Sequence, residues 1–93
     1  MPNQDPIRRR AIVHGRVQGV FFRDSTRRQA QRYGVAGSVS NRADGAVEAV
    51  FEGEADAVER LVAFSREGPR GAQVESIEVT EEEPEGLSGF SVR

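Results

Sequence analysis

The spacing of apolar positions changes along this chain, and the changes divide it into elements. Ala11, Ile12, Val13 and His14 follow Arg8, Arg9 and Arg10 and lead into a glycine, the pattern of a first strand whose apolar part lies near a loop. From Phe22 to Tyr33 the period is helical, with Phe22, Thr26, Gln29 or Ala30, and Tyr33 on one side and Arg27, Arg28, Gln31 and Arg32 mostly on the other. Asp24 is spaced to pair with Arg27 or Arg28, and Gly34 stands where a glycine ends a helix. Residues 35–41 and 46–53 predict a second and a third strand, joined through Asp44-Gly45, a strong hairpin pair. In the third strand Val47, Ala49 and Phe51 alternate with Glu48, Val50 and Glu52, so one face should turn inward. Residues 54–67 form a clearer helix, with Ala57, Val58, Leu61, Phe64 and Ser65 as its stripe and Glu54 and Asp56 suiting its N-terminal dipole. Gly68-Pro69 stops it. A fourth strand over 72–82 carries Val74, Ile77 and Val79, and the step from 74 to 77 predicts a bulge. Phe90, Ser91 and Val92 predict a short last strand.

Strand, helix, strand, strand, helix, strand is the order of a split βαβ arrangement. It predicts an α+β, ferredoxin-like βαββαβ two-layer sandwich: an antiparallel sheet, two helices on one face, and a short extra C-terminal strand. Residues 1–7, with two prolines among polar residues, predict a flexible leader, and residues 8–93 a single domain. No internal repeat or linker is evident.

Composition narrows the chemistry. A chain of 93 residues makes one domain with a modest core. Without cysteine there are no disulfides, thiolate nucleophiles or cysteine metal sites, and with His14 alone no multi-histidine metal site. The net charge of −2 does not suggest a general nucleic-acid binder. No apolar stretch approaches a membrane span, and the N-terminus lacks a signal-peptide pattern, so the expectation is a cytoplasmic protein. Arg8–Arg10 reads as a solvated strand start rather than a nucleic-acid patch, because no basic or aromatic stripe continues it. Glu81, Glu82 and Glu83 read as a solvated strand end, since neighbours on a strand point to opposite faces and make a poor metal cluster. Phe51 reads as core rather than a stacking platform for a base. All 13 basic residues are arginine, a bias for which we have no functional account.

The candidate chemistry centres on Gly15, Arg16, Val17, Gln18, Gly19, Val20, Phe21, Phe22 and Arg23. An apolar strand enters this stretch, two glycines bracket a short loop, and an arginine follows at a helix start. Such a loop can gather backbone N–H groups into a concave anion nest, beside the positive end of a helix and a guanidinium able to grip two phosphate oxygens. The residues alone more often describe a plain strand-to-helix turn with a solvated arginine. The stretch resembles the signature of the acylphosphatase family, Gly-x-Val-Gln-Gly-Val-x-Phe-Arg. A second stretch, from Gly37 to Glu48, is similar to that family's other signature, Gly-x-Val-x-Asn-x-x-Asp-Gly-x-Val-Glu. The resemblance extends from about Arg8 to the C-terminus.

The resemblance implies a freestanding acylphosphatase, an enzyme hydrolysing the carboxyl-phosphate anhydride of small acyl phosphates. The expected reaction is in-line attack of a positioned water without a covalent intermediate, and without metal or cofactor. It implies that Arg23 grips and stabilises the phosphoryl oxygens. Backbone N–H groups of Arg16 to Val20 would complete the nest, with Gly15 and Gly19 permitting its turn, and Asn41 would orient the water. A small-molecule substrate, no nucleic-acid or membrane partner, and a monomer are expected. Read residue by residue, Asn41 is a turn former, Gln18 a loop support or a solvent-exposed side chain rather than a substrate contact, His14 a satisfied or partly exposed strand-end histidine rather than a general base, and Asp44 a turn residue. Ser38 and Ser40 depart from the large aromatic and basic residues frequent at those family positions, which bears on packing and charge beside the second strand. Rival readings are a non-catalytic anion- or metabolite-binding module, the acylphosphatase-like domain at the N-terminus of carbamoyl-transferring maturation proteins, and an RNA-binding domain.

Overall fold

The computed structural model describes residues 5–93; residues 1–4, most of the expected leader, lie outside the described part. The elements are β1 (Ile7–Arg16), α1 (Phe22–Tyr33), β2 (Ala36–Asn41), β3 (Val47–Gly53), α2 (Ala55–Glu67), β4 (Gln73–Glu82) and β5 (Phe90–Val92). β1 begins one residue inside the stretch read as leader. The sheet order is β4-β1-β3-β2-β5. β1, β3, β2 and β4 pair antiparallel, as the ferredoxin-like pattern predicts.

β5 departs from the expected all-antiparallel sheet: it runs parallel to β2, with Gly37 opposite Phe90 and Val39 opposite Val92, so the sheet is mixed. The route of the chain explains this. β4 ends at Glu82 beside Arg8, at the same end of the sheet where β2 begins beside Glu52. Residues 83–89 cross to the β2 edge at that end, so β5 sets out in the direction of β2.

Both helices cover one face of the sheet. There Ala11, Val13, Val39, Val47, Ala49 and Phe51 meet Phe22, Ala30, Val58, Leu61 and Val62 in one core. The stripe of α1 is as thin as its sequence implies, with Phe22, Thr26 and Ala30 buried, and Gly34 ends it in the left-handed conformation. In α2 the buried stripe is Val58, Leu61, Val62 and Ser65, so it lies further toward Val62 than the sequence spacing suggests. Phe51 is a core residue, stacked on Phe90 with ring centroids 6.1 Å apart. The expected bulge is present: His14 pairs with Ser76 and Gly15 with Val74, which leaves Glu75 as the extra residue of β4.

One end of the helix-free face is covered as well, which strand alternation did not predict. Val50 is buried there, and so are Arg8 and Glu52, only 6% and 3% exposed. Arg8 donates to Glu82 at 2.8 Å and to Glu52 at 3.3 Å, and Arg10 donates to Glu82 and Glu48. The crossing segment completes the cluster, because the N–H groups of Glu85, Gly86 and Leu87 each donate to the Glu52 carboxylate at 2.8 Å. Arg9, on the opposite face, pairs with Glu81 and Glu59. Arg8–Arg10 and Glu81–Glu82 therefore serve one another as ion-pair partners. Small side chains at Ser38 and Ser40 help line a cavity of about 260 Å³ on this face, beside Arg10, Glu48 and Leu87.

Burial pushes the Glu52 carboxyl up, but the three N–H donors and Arg8 outweigh it and hold the group below its ordinary value. Hydrogen bonds from Arg10 and then Arg8 lower Glu82 in the same way. A carboxyl depressed on folding contributes stability above its unfolded value, about 4.3, and loses it as pH falls through the folded value. The melting temperature should hold from pH 7 to about 5 and fall below about 4.5. Glu52→Ala, which strands the buried Arg8 and three N–H groups, should cost about 3–5 kcal/mol at pH 7 and flatten that acid slope. Thermal unfolding of both proteins across pH checks this; an unshifted midpoint at pH 7 would contradict it.

Candidate active site

The loop after β1 owes its shape to three departures from ordinary backbone, at Gly15, at Gly19 with φ 75°, and at Phe21. Gly15, with φ 129°, lies so close to β4 that a Cβ there would sit 2.2 Å from the Gln73 carbonyl oxygen. No other residue fits that approach. Gly15 and Arg16 still pair with Val74 and Gln73 in the sheet, so they frame the loop, and the unpaired segment begins at Val17. Val17 anchors it by burying its side chain in the core. At the far end Phe21 takes the left-handed conformation, φ 59° and ψ 24°, immediately before α1. For a residue with a Cβ this costs about 1–2 kcal/mol. The first-turn N–H groups of α1 have no partners within the helix, and no side chain caps them.

Arg23 follows in the first turn of α1. Its Nη1 donates to the main-chain oxygen of Arg93 at 2.9 Å, and the Arg93 N–H in turn donates to Val39 on β2. The last residues of the chain thus hold the guanidinium at the edge of β2. Asn41 closes β2, and its carboxamide makes no hydrogen bond among the described residues. The turn that follows is stabilised by Asp44, whose Oδ1 accepts the Ala46 N–H at 3.0 Å. That N–H, and then Arg42, keep the Asp44 carboxyl below its ordinary value. Asn41 is accordingly not needed as a turn former.

Gln18 joins the two halves. Its Nε2 donates to the carbonyl oxygens of Arg42 at 2.8 Å and Ala46 at 3.0 Å, clamping the loop to the hairpin next to Asn41. The side chain is a brace between loop and hairpin, the support role among its possible readings. His14 pairs with Glu78 at 2.6 Å. It lies on the helix-free face, in register with Arg10 and Arg8 along β1.

One cavity of about 310 Å³ gathers Val17, Gly19, Phe21, Phe22, Arg23, Asp24, Asn41 and Val92. Of the residues singled out in sequence, it brings together Arg23, Asn41, Val17 and Gly19. Gly15, Arg16, Gln18 and Val20 do not line it. The Asp24 carboxylate is engaged by Arg27 at 2.8 Å and Arg28 at 3.0 Å, the pairing expected from their spacing, which tempers its negative charge beside Arg23. The sequence reading missed Val92, which pairs with Val39, and Arg93, which meets Arg23 70 positions away; such distant contacts leave no local pattern. It also passed over Phe21, although an aromatic two residues after the second loop glycine, at a helix start, was a visible sign. Chemically, the cavity joins a cation, a carboxamide and helix-start N–H groups, a set suited to an anion with a water beside it.

Comparison with known proteins places these features in a family. The Acylphosphatase family model matches residues 9–92. An acylphosphatase of Rubrobacter xylanophilus is 63% identical over 86 residues, covering 90% of this chain and 77% of that protein. Among solved structures, an acylphosphatase from Coxiella burnetii superposes with a TM-score of 0.91 at 37% identity, covering all of both chains. Acylphosphatase from Bacillus subtilis gives 0.89 at 40% identity, covering 94% of this chain and 98% of that one.

Proposed function

We propose a mechanism from the premise that this chain belongs to the acylphosphatase family and hydrolyses acyl phosphates. An acyl phosphate is a mixed anhydride whose carboxylate is already a good leaving group, so catalysis reduces to holding the phosphoryl group and placing a water in line. Arg23 grips the non-bridging oxygens and stabilises the charge that spreads over them in the transition state. Backbone N–H groups of the loop complete the nest, Val17 to Val20 from its unpaired part and Arg16 from its frame, with Gly15 and Gly19 setting its turn. The Asn41 carboxamide orients the attacking water. An amide is too weak a base to take the water's proton, which passes instead to a phosphate oxygen. The new bond forms between water oxygen and phosphorus, the bond from phosphorus to the acyl oxygen breaks, and carboxylate and inorganic phosphate leave. No covalent intermediate is needed.

The observation that carries this reading is the shared cavity, which sets Arg23 of α1 and Asn41 of β2 around one space beside Gly19. A module that only bound anions would not need Asn41, and that alternative is not favoured. We place the enzyme as a cytoplasmic monomer acting on small acyl phosphates, its acylphosphatase-like domain taking in the expected residues 8–93 together with Ile7, which pairs in β1. No helix among the described residues is long and apolar enough to cross a membrane.

Turnover of benzoyl phosphate in ¹⁸O-water tests the mechanism. Label should appear in inorganic phosphate and not in benzoate. Label in benzoate would mean attack at the carbonyl carbon and would overturn the assignment. Absence of turnover would return the anion-binding module to the lead.

A further inference from the structure

Two side chains of the site are left without a task by the phosphoryl chemistry. Three large apolar side chains are exposed among the described residues, Phe21 at 82%, Leu87 at 41% and Val92 at 42%, and two of the three, Phe21 and Val92, line the active-site cavity. Phe21 is also the one non-glycine residue among them with a positive φ. Its backbone position would suit glycine better, and its ring is not held by burial. Folding therefore does not explain why a phenylalanine stands there.

The rest of the cavity sharpens the point. Val17 and Phe22 also line it, but they are only 1% and 2% exposed and belong to the core. Apolar surface open to a ligand comes from Phe21 and Val92, each adjoining a segment that holds Arg23: Phe21 immediately precedes α1, and Val92 precedes the Arg93 whose oxygen Arg23 bonds. The charged and amide groups suit a phosphoryl group. What this wall suits is the other half of the substrate.

We propose that Phe21 and Val92 form a binding surface for the acyl group, selecting aromatic or extended apolar acyl phosphates over those of acetyl or carbamoyl size. The proposal rests on the acylphosphatase reading and names the substrate class within it. A phenyl or alkyl group laid against Phe21 removes apolar area from water and can stack on the ring. A methyl or amino group is too small to cover it.

The test compares kcat/KM for benzoyl and acetyl phosphate in wild type, Phe21→Ala and Phe21→Leu. Intrinsic reactivity of the two substrates cancels when their ratio is compared between proteins. The benzoyl-to-acetyl ratio should fall about tenfold in Phe21→Ala, about 1.4 kcal/mol of discrimination, chiefly through a higher KM for benzoyl phosphate. Phe21→Leu, which keeps an apolar surface, should recover part of it. A ratio within twofold of wild type in Phe21→Ala would overturn the acyl surface, even if both activities dropped, because that pattern describes a residue shaping the loop. Failure of the wild-type chain to hydrolyse either substrate is a separate result and would remove the acylphosphatase reading as well. Because the ring is exposed, the variants should fold, and equal melting temperatures would confirm that the ratios compare intact proteins.

Discussion

Asn41→Ala should lower kcat for acyl phosphate hydrolysis by about 10²–10³-fold while leaving competitive inhibition by inorganic phosphate within about threefold of wild type. The split follows from the roles proposed for the site. Phosphate binding draws on Arg23 and loop N–H groups, none of which the substitution touches. The lost carboxamide acts only on the water, whose placement matters in the transition state and not in the ground state. The variant should also fold normally, because Asn41 is exposed and the hairpin turn is held by Asp44 and by the Arg42–Ala46 main-chain pair. Steady-state kinetics with phosphate as inhibitor, together with a melting curve, would check it. Joint loss of turnover and phosphate binding would show instead that Asn41 supports the loop.

Arg23→Ala should do damage of a different kind: KM raised about tenfold or more and kcat lowered by about a thousandfold. A guanidinium that grips the phosphoryl oxygens contributes to substrate binding, and more once charge spreads over those oxygens in the transition state. Arg23→Lys should rescue poorly, because an ammonium cannot present the paired donors of the planar fork. Removing Arg23 also frees the Arg93 oxygen, but this bond is exposed, so stability should change by no more than about 0.5 kcal/mol. An unchanged KM in Arg23→Ala would contradict the cradle and leave the residue as a mere tether for the chain's last segment.

Most of the fold can be read from local pattern because local physics dictates it. The helical period over residues 22–33 and the glycine after it mark α1 at its observed limits. Asp44-Gly45 marks the hairpin, and the irregular step between Val74 and Ile77 marks the bulge at Glu75. Each depends on residues a few positions apart. β5 is different: its existence is legible in Phe90–Val92, but its direction depends on where residues 83–89 cross the sheet, and no local preference encodes that path. The same crossing buries Glu52 and Arg8, charged residues that strand alternation alone assigns to solvent.

The site divides along the same line. Residue types and spacing, read with the family's two signatures, name Arg23, Asn41 and the loop glycines, since an anion nest and a guanidinium at a helix start are features of contiguous chain. The convergence of Arg23, Asn41 and Gly19 on one cavity is a property of the assembled sheet, in which β1 and β2 flank β3 and Gln18 pins the loop to the hairpin. The Arg93 contact on Arg23 and the apolar wall of Phe21 and Val92 exist only once β5 has joined β2. Contiguous chemistry is written in the chain, whereas contacts between residues some 70 positions apart arise from packing, which relates segments through shape and burial rather than through their order.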